Sequence, residues 1–360
     1  MKHLRSLAHV LLLLVIGAHC KALAAGGVFD VELVPLGRDV YLIRRPDPLR
    51  QPVEGNSVVI VNENDVVVID RGGAPASAAN ALRLIRGVTS KPVSVLINTH
   101  WHGDHNLGNQ VYREAFPGLR IVSHEATHGH IAGETMSYVA TLPAELDGYI
   151  KEFEAMAAKE PLSERRQLML EDLRVARHEV EQVRITPPDL TFSEKLTLHH
   201  GAREIQVLHL GKGNTDGDAV VWLPREKILI SGDLVVHPLP YGIGSYPREW
   251  LDSLDELSRF PYELLVPGHG EPQKDRAYIE QLTRMLANIR EQVAESVAKG
   301  LDLEATTKAL DVSGFEPQFT GDDRVHKTLF TAWWVNPIVR SAWLEARGEP
   351  IVQSGKSDNR

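Results

Sequence analysis

The sequence predicts an α/β (α+β) sandwich with a helical hairpin inserted into it and a helical region at its C-terminal end. Three observations predict this. Short Val/Ile-rich runs come first and then alternate with helix-compatible segments. Between about residues 133 and 188 apolar residues recur every three or four positions in a Lys/Glu/Arg-rich background. From about residue 276 the pattern is almost wholly helical. The 360 residues allow one large domain or two smaller ones.

In chain order, residues 31–36 and 40–43 read as strands joined by Gly37-Arg38-Asp39. Residues 57–61 and 66–70 read as a hairpin around Asn62-Glu63-Asn64-Asp65. A helix over 76–86, a buried strand over 93–97, a helix over 107–116 and a strand over 119–123 follow. Leu146, Ile150, Phe153 and Ala157 then mark one amphipathic helix, and Met169, Leu173, Ala176, Val180 and Val183 a second. They break near Glu160-Pro161 and are expected to lay their apolar stripe on the sheets. A lid over a site, or a contact between copies of the chain, are the sharper readings of this hairpin. Strands resume at 196–198, 204–208, 219–223, 227–231 and 264–266, with a helix over 248–259. Helices over 278–299, 303–310 and 325–346 close the chain, and Pro337 should kink or break the last. The divisions are thus 25–275 for the sandwich with its 133–188 insertion, 276–350 for the helical region and 351–360 for a frayed tail.

Residues 1–24 have the outline of a secretory signal peptide. Lys2 and Arg5 form a basic start, residues 11–16 an apolar core, and Ala22-Leu23-Ala24 a small-x-small cleavage site. The apolar run is too short for a spanning helix, so no stable membrane anchor is expected. Cleavage near Ala24 would give a periplasmic or secreted protein and remove Cys20, the only cysteine. No disulfide, thiol nucleophile or Cys ligand would remain. Lys2, Arg5 and Lys21 would leave with no carboxylate, taking the formal charge from −9 to −12. An acidic exported chain without a basic block is a poor nucleic-acid binder, and a small-molecule substrate is expected instead.

The chemistry centres on Asn98-Thr99-His100-Trp101-His102-Gly103-Asp104-His105. Four metal-capable side chains fall within six residues, just past a buried strand. Imidazole and carboxylate are donors that Zn²⁺ accepts readily. A loop there can aim His100 and His102 one way and Asp104 and His105 another, within reach of two metals, or of one metal and a water site. A helix does this less easily, because positions i and i+2 lie on different faces. Three later stretches also follow apolar strands: the Gly-rich loop 210–218, Ser231-Gly232-Asp233, and Pro267-Gly268-His269-Gly270. All four can converge on one edge of a sandwich.

In this order and spacing the chain, from about residue 31 to 271, resembles the metallo-β-lactamase-fold superfamily. The resemblance implies a four-layer αββα sandwich with one or two zinc ions on one edge. It implies His100 and His102 as ligands of one zinc, and Asp104, His105 and His269 as ligands of the other. Asp233 matches the carboxylate that bridges the metals in glyoxalase II-like members. Asp70 matches a buried carboxylate that supports the ligand loop. The pattern departs at Gly213-Asn214-Thr215, where the family has a His. An amide oxygen is a weaker, harder donor than imidazole. Three outcomes are open: Asn214 binds through its oxygen, the first site is weak, or another imidazole such as His209 substitutes. We expect a retained but weakened first site.

The implied activity is a zinc-dependent hydrolase of a carbonyl bond in a β-lactam, lactone, ester or thioester. Zinc supplies a Lewis acid and a nucleophile drawn from water near neutral pH. Asp104 and Asp233 are the expected catalytic carboxylates, and no side-chain nucleophile is required. The alternative is a metal- or ligand-binding member with little or no turnover. A minor alternative rests on His124-Glu125-Ala126-Thr127-His128, which spells the zincin signature. It starts at a strand end rather than inside a helix, so a strand end capping a short helix is the simpler reading. Trp101 is expected to wall the pocket or pack beneath it. Tyr241, Ser245 and Tyr246, on the loop after Asp233, either line a substrate pocket or form an ordinary connection. His199, His200 and His326 read as surface residues, and His237 as an ordinary loop position.

Overall fold

The computed structural model describes residues 26–353. The expected signal peptide, and the tail from Ser354, lie outside the described residues. Twelve strands are described: β1 (Glu32–Gly37), β2 (Val40–Arg44), β3 (Ser57–Val61), β4 (Val66–Ile69), β5 (Val93–Ile97), β6 (Arg120–His124), β7 (Leu190–Phe192), β8 (Lys195–His200), β9 (Arg203–Leu208), β10 (Val220–Leu223), β11 (Ile228–Val236) and β12 (Leu264–His269). The first seven form one sheet in sequence order, and the other five a second sheet ordered β12-β11-β10-β9-β8. Strands β4 to β7 run parallel, as do β11 and β12.

The layers follow from side-chain alternation. Val58, Ile60, Val67, Ile69, Val95 and Ile97 face Val207, Val221, Ile228, Ile230 and Val266 between the sheets. Their neighbours Val59, Val66, Val68 and Leu96 point the other way, onto Ala78, Ala81, Leu82 and Ile85 of the helix Pro75–Val88. Trp222 and Leu229 of the second sheet turn outward onto Trp250, Leu254, Leu282 and Leu286. Strands buried on both faces read as unbroken apolar runs. The result is the four-layer αββα sandwich.

Three expectations need correction. The hairpin helices Leu142–Ala157 and Glu164–Val180 do not lay their stripe on a sheet. Phe153, Leu162, Leu170 and Leu173 bury against one another, so the stripes zip the hairpin together. It is tied to the body by Arg50, whose Nε and Nη2 donate to Asp172 at 2.7 and 2.8 Å, and by Ala176 and Leu146 against Val28 and Phe29. Second, Pro337 does not break the last helix. It sits in the first turn of Asn336–Ala346, where a missing N–H costs nothing. The break is a π turn at Thr331–Val335, just before it, which follows the helix Arg324–Phe330. Third, β11 does not end at Ser231. Its register shifts at Gly232 and the strand continues to Val236, so Asp233 projects from within it.

Candidate metal centre

The centre is built where β4, β5, β11 and β12 deliver their C-terminal residues to one edge. β5 ends at Ile97, the chain bends through Thr99, His100 and Trp101, and His102 precedes the next turn in extended form. Asp104 and His105 then lie on a short helical turn, Gly103–Asn106. The ligand stretch is therefore half loop and half helix, and this reversal splits its donors into two directions. β12 ends on His269, and Asp233 comes from β11 beside it. Gly268 leaves the Asp233 carboxylate its room, since a Cβ there would collide with Oδ1. Gly232, at φ +50, lets Thr99 approach the same strand.

The donors fall into two groups. His100, His102 and Asp233 form one, and Asp104, His105 and His269 the other, with ligand atoms in each group within 4.8 Å of one another. Asp233 stands between them: its Oδ2 is 3.5 Å from His100 Nε2, and its Oδ1 is 3.3 Å from His105 Nε2 and 3.7 Å from His269 Nε2. Asp104 Oδ2 lies 3.0 Å from His269 Nε2 and 3.5 Å from His105 Nε2.

Behind the donors sits Asp70, whose φ of +56 an Asp tolerates better than most residues. Its Oδ1 accepts from the Thr99 N–H at 2.8 Å, and its Oδ2 from the Thr99 hydroxyl at 2.6 Å. That same Oδ2 lies 2.9 Å from His105 Nδ1, so Nε2 is left free to face the centre. Asp70 also lies within ligand distance of His100 and His105, but its oxygens already have these partners, so it braces the site rather than closing it.

Electrostatics fit a cation. Burial, aided by the neighbouring His100, pushes His102 down to about 3, so it is a neutral donor at pH 7. Burial opposes charge on His105 and His269, but Asp233 and Asp104 outweigh it and hold both imidazoles up. The same imidazoles hold Asp233 and Asp104 below the usual carboxylate range despite their burial. A metal would take the place of the protons that balance this cluster. His100 Nε2 and Asp233 Oδ1 are buried with no hydrogen-bond partner, the pattern a coordinated ion resolves. The residues present therefore fit a divalent metal.

The family profile described as metallo-beta-lactamase superfamily matches residues 50–269. The chain belongs to that superfamily. It is similar to a linear primary-alkylsulfatase of Pseudomonas sp. (strain ATCC 19151), at 27% identity over 251 residues. That match covers 66% of this chain and 46% of the relative, so this chain spans about half its length. It is also similar to a metallo-beta-lactamase type 2 of Elizabethkingia meningoseptica, at 25% identity over 60% of this chain and 78% of that one. The solved structure of a stereoselective inverting sec-alkylsulfatase from Pseudomonas sp. covers 92% of this chain and 52% of its own, with a TM-score of 0.62 and 15% identity. At that identity it speaks to the fold alone. The relatives named here, an alkylsulfatase and a metallo-beta-lactamase, are hydrolases.

Asn214, where the sequence resemblance led to the expectation of an imidazole, is buried beside these donors. Its Nδ2 donates to the Tyr241 carbonyl at 3.0 Å and to the Asp233 carbonyl at 3.4 Å. Two carbonyl acceptors fix which end of the amide is nitrogen. Oδ1 is left buried and without a partner. Asp218 holds the loop by accepting from Thr215 N and Oγ1 at 2.7 and 3.0 Å. His209 does not substitute for the missing imidazole. Its ring stacks on His124 at 4.1 Å, with Nδ1 2.8 Å from the Asp218 carbonyl, and no metal group among the described residues includes it.

The other sequence-predicted residues divide. Trp101 is buried, meets His102 edge-on at 4.6 Å and packs on Leu107, Ile131 and Met136, so it both walls and underlies the site. Tyr241 meets His102 edge-on at 5.7 Å. Ser245 turns back, its hydroxyl donating to the Gly242 carbonyl of its own loop at 2.8 Å. Tyr246 lies under Lys212 Nζ, 4.6 Å from its ring centre. His124 and His128 do not converge. His124 Nδ1 caps a helix by accepting from Ala126 N–H and its Nε2 meets the Ser193 carbonyl, while His128 Nδ1 meets that of Pro188. His237 packs on Tyr278 at 5.0 Å, away from the donor groups. His200 is half-buried and pairs with Asp65 at 2.8 Å, so it is not simply a surface residue.

Sequence reasoning missed Thr99, Tyr138 and Gln353. Thr99 sits inside the motif, and its hydroxyl joins Asp70 to His100 Nδ1 at 3.0 Å. Gln353 accepts from Trp101 Nε1 at 2.5 Å and donates to the Gly244 carbonyl, bridging two loops of the rim. Neither Gln353 nor Tyr138 has a fixed spacing from the motif that could have announced it.

Proposed function

We propose that the chain is an exported zinc hydrolase acting on a small ester-like substrate. The observation that carries this is Asp233: one buried carboxylate reaches toward both donor groups from a strand buried along its whole length. His100, His102 and Asp233 would hold one zinc, and Asp104, His105, His269 and Asp233 a second, with Asn214 Oδ1 beside the first as a neutral donor. Bound zinc supplies Lewis-acid polarisation and a nucleophile drawn from water.

The chain's own residues do the rest. The Asp104 side chain is 20% exposed, whereas that of Asp233 is 2% exposed. Asp104 is therefore the carboxylate that meets entering water and orients it by accepting its hydrogen bond. Asp233 stays fixed and sets the separation of the two groups. Trp101 and Tyr241 shield His102 and exclude bulk water on that side. The Thr99 hydroxyl beside His100 already donates to Asp70, which argues against it as a nucleophile and for attack by water. The export reading rests on the signal-like residues 1–24.

The substrate bond is a carbonyl ester, thioester, lactone or β-lactam. The alkylsulfatase relative of 27% identity adds a sulfate ester to the set. The test is a hydrolysis panel of these five classes on zinc-loaded protein, with Asn214→His alongside. At least one class should be turned over, stopped by chelator and restored by zinc. The Asn214→His protein should bind its first zinc about tenfold or more tighter, because an imidazole replaces an amide. Full zinc loading with no turnover of any carbonyl substrate would sink the carbonyl reading. Unchanged first-site affinity in Asn214→His would remove Asn214 from that site.

A further inference from the structure

The insertion is more than a packed hairpin. It opens with a 3₁₀ turn, Glu134–Ala140, that folds back over the ligand loop. Met136 and Val139 of this turn bury against Trp101, Leu107 and Ile131. Their burial fixes the turn and leaves Tyr138, partly exposed, above the centre. The Tyr138 carbonyl is held by Thr141, whose N–H and hydroxyl both donate to it at 2.8 Å. The hydroxyl rests on Gly103, between His102 and Asp104, so closely that no Cβ could stand there. A phenol hydroxyl so placed can both accept and donate a hydrogen bond.

Tyr241 answers it from the loop after β11. Its ring edge meets His102, and its carbonyl is pinned by the Asn214 amide. Both are phenol hydroxyls, which donate a hydrogen bond in their ordinary unionised form. A centre whose open face is an acidic side chain is thus flanked by two neutral O–H donors from different parts of the chain. Donors so placed complement substrate oxygen, above all oxygen that carries negative charge.

We propose that Tyr138 is a substrate-positioning residue: the insertion delivers its hydroxyl to the Asp104 side of the centre, where with Tyr241 it hydrogen-bonds an anionic oxygen-rich group of the substrate, a carboxylate or a sulfate ester. This rests on the hydrolase reading above and narrows its substrate class.

The test uses zinc-loaded full-length protein, the variants Tyr138→Phe and Tyr241→Phe, and calorimetric titration with acetate and with inorganic sulfate as probes. Phe keeps the packing and removes only the hydroxyl, and zinc content should be unchanged in both variants. Wild type should bind at least one anion, and each variant should bind it roughly tenfold or more weakly, as expected for a lost hydrogen bond to a charged group. On any substrate turned over, Tyr138→Phe should raise KM more than it lowers kcat, a split that a merely structural role would not produce. Which anion binds separates a carboxylate from a sulfate. Anion binding is read without turnover, so it decides on Tyr138 even if every substrate of the panel fails. Equal affinity in Tyr138→Phe and wild type, or no anion binding by wild type, overturns the proposal.

Discussion

Replacing Asp233 by Asn is expected to lower kcat/KM by about a thousandfold, some 4 kcal/mol of transition-state stabilisation, and to remove at least one zinc per chain. The reason is geometric. Asp233 Oδ2 faces His100, and Oδ1 faces His105 and His269, so one side chain serves both donor groups. Asn has the same shape but no charge, and one of its two ends is a donor that cannot ligate. The imidazoles of His105 and His269 lose the carboxylate that acts most strongly on them. The fold should survive, because Asp233 lies on a strand whose neighbours Leu234 and Val235 are buried in the outer core. Zinc titration and steady-state rates on the same preparation check this. Retention of both zincs, with kcat/KM within tenfold of wild type, would show that Asp233 does not join the two groups.

Asp70→Asn should weaken zinc binding by 10- to 100-fold, the usual cost of losing a group that orients a ligand. Asp70 is acceptor-only and takes the Thr99 N–H, the Thr99 hydroxyl and His105 Nδ1. An Asn must turn its NH₂ toward one of these donors, so at least one contact becomes a clash of two donors. Asn also tolerates the positive φ at this position, so the effect reads the lost charge and not a strained backbone. Competitive titration against a chromophoric chelator measures it. An unchanged zinc affinity would mean that His105 is held by packing alone.

The central strands were legible because they are buried on both faces, which leaves unmistakable apolar runs such as Val66 to Ile69. Strand β7 was not, since three residues at a sheet edge carry too little pattern. The end of β11 was misplaced because Gly232 and Asp233 look like a turn, and only the register shift reveals that the strand resumes. For the hairpin, the period of Met169, Leu173 and Ala176 disclosed an apolar face. It did not disclose that the cover is the partner helix, since periodicity marks a face and not its occupant. In the site, His100 to His105 were legible because they are local in sequence. Asp233 and His269 needed the family's order of motifs. The orientation of the Asn214 amide depends on the Tyr241 carbonyl, 27 residues away, and had no local signal. Tyr138 reaches Gly103 through an insertion, where spacing carries no information.

The most direct test of the whole account is the zinc content of protein purified without chelator, measured together with the position of the metal by anomalous diffraction at the zinc edge. The account predicts between one and two zincs per chain, with density enclosed by His100, His102 and Asp233 and by Asp104, His105 and His269, the first position the weaker. A chain free of metal that still hydrolyses its substrate, or zinc bound elsewhere than between these two groups, would contradict it.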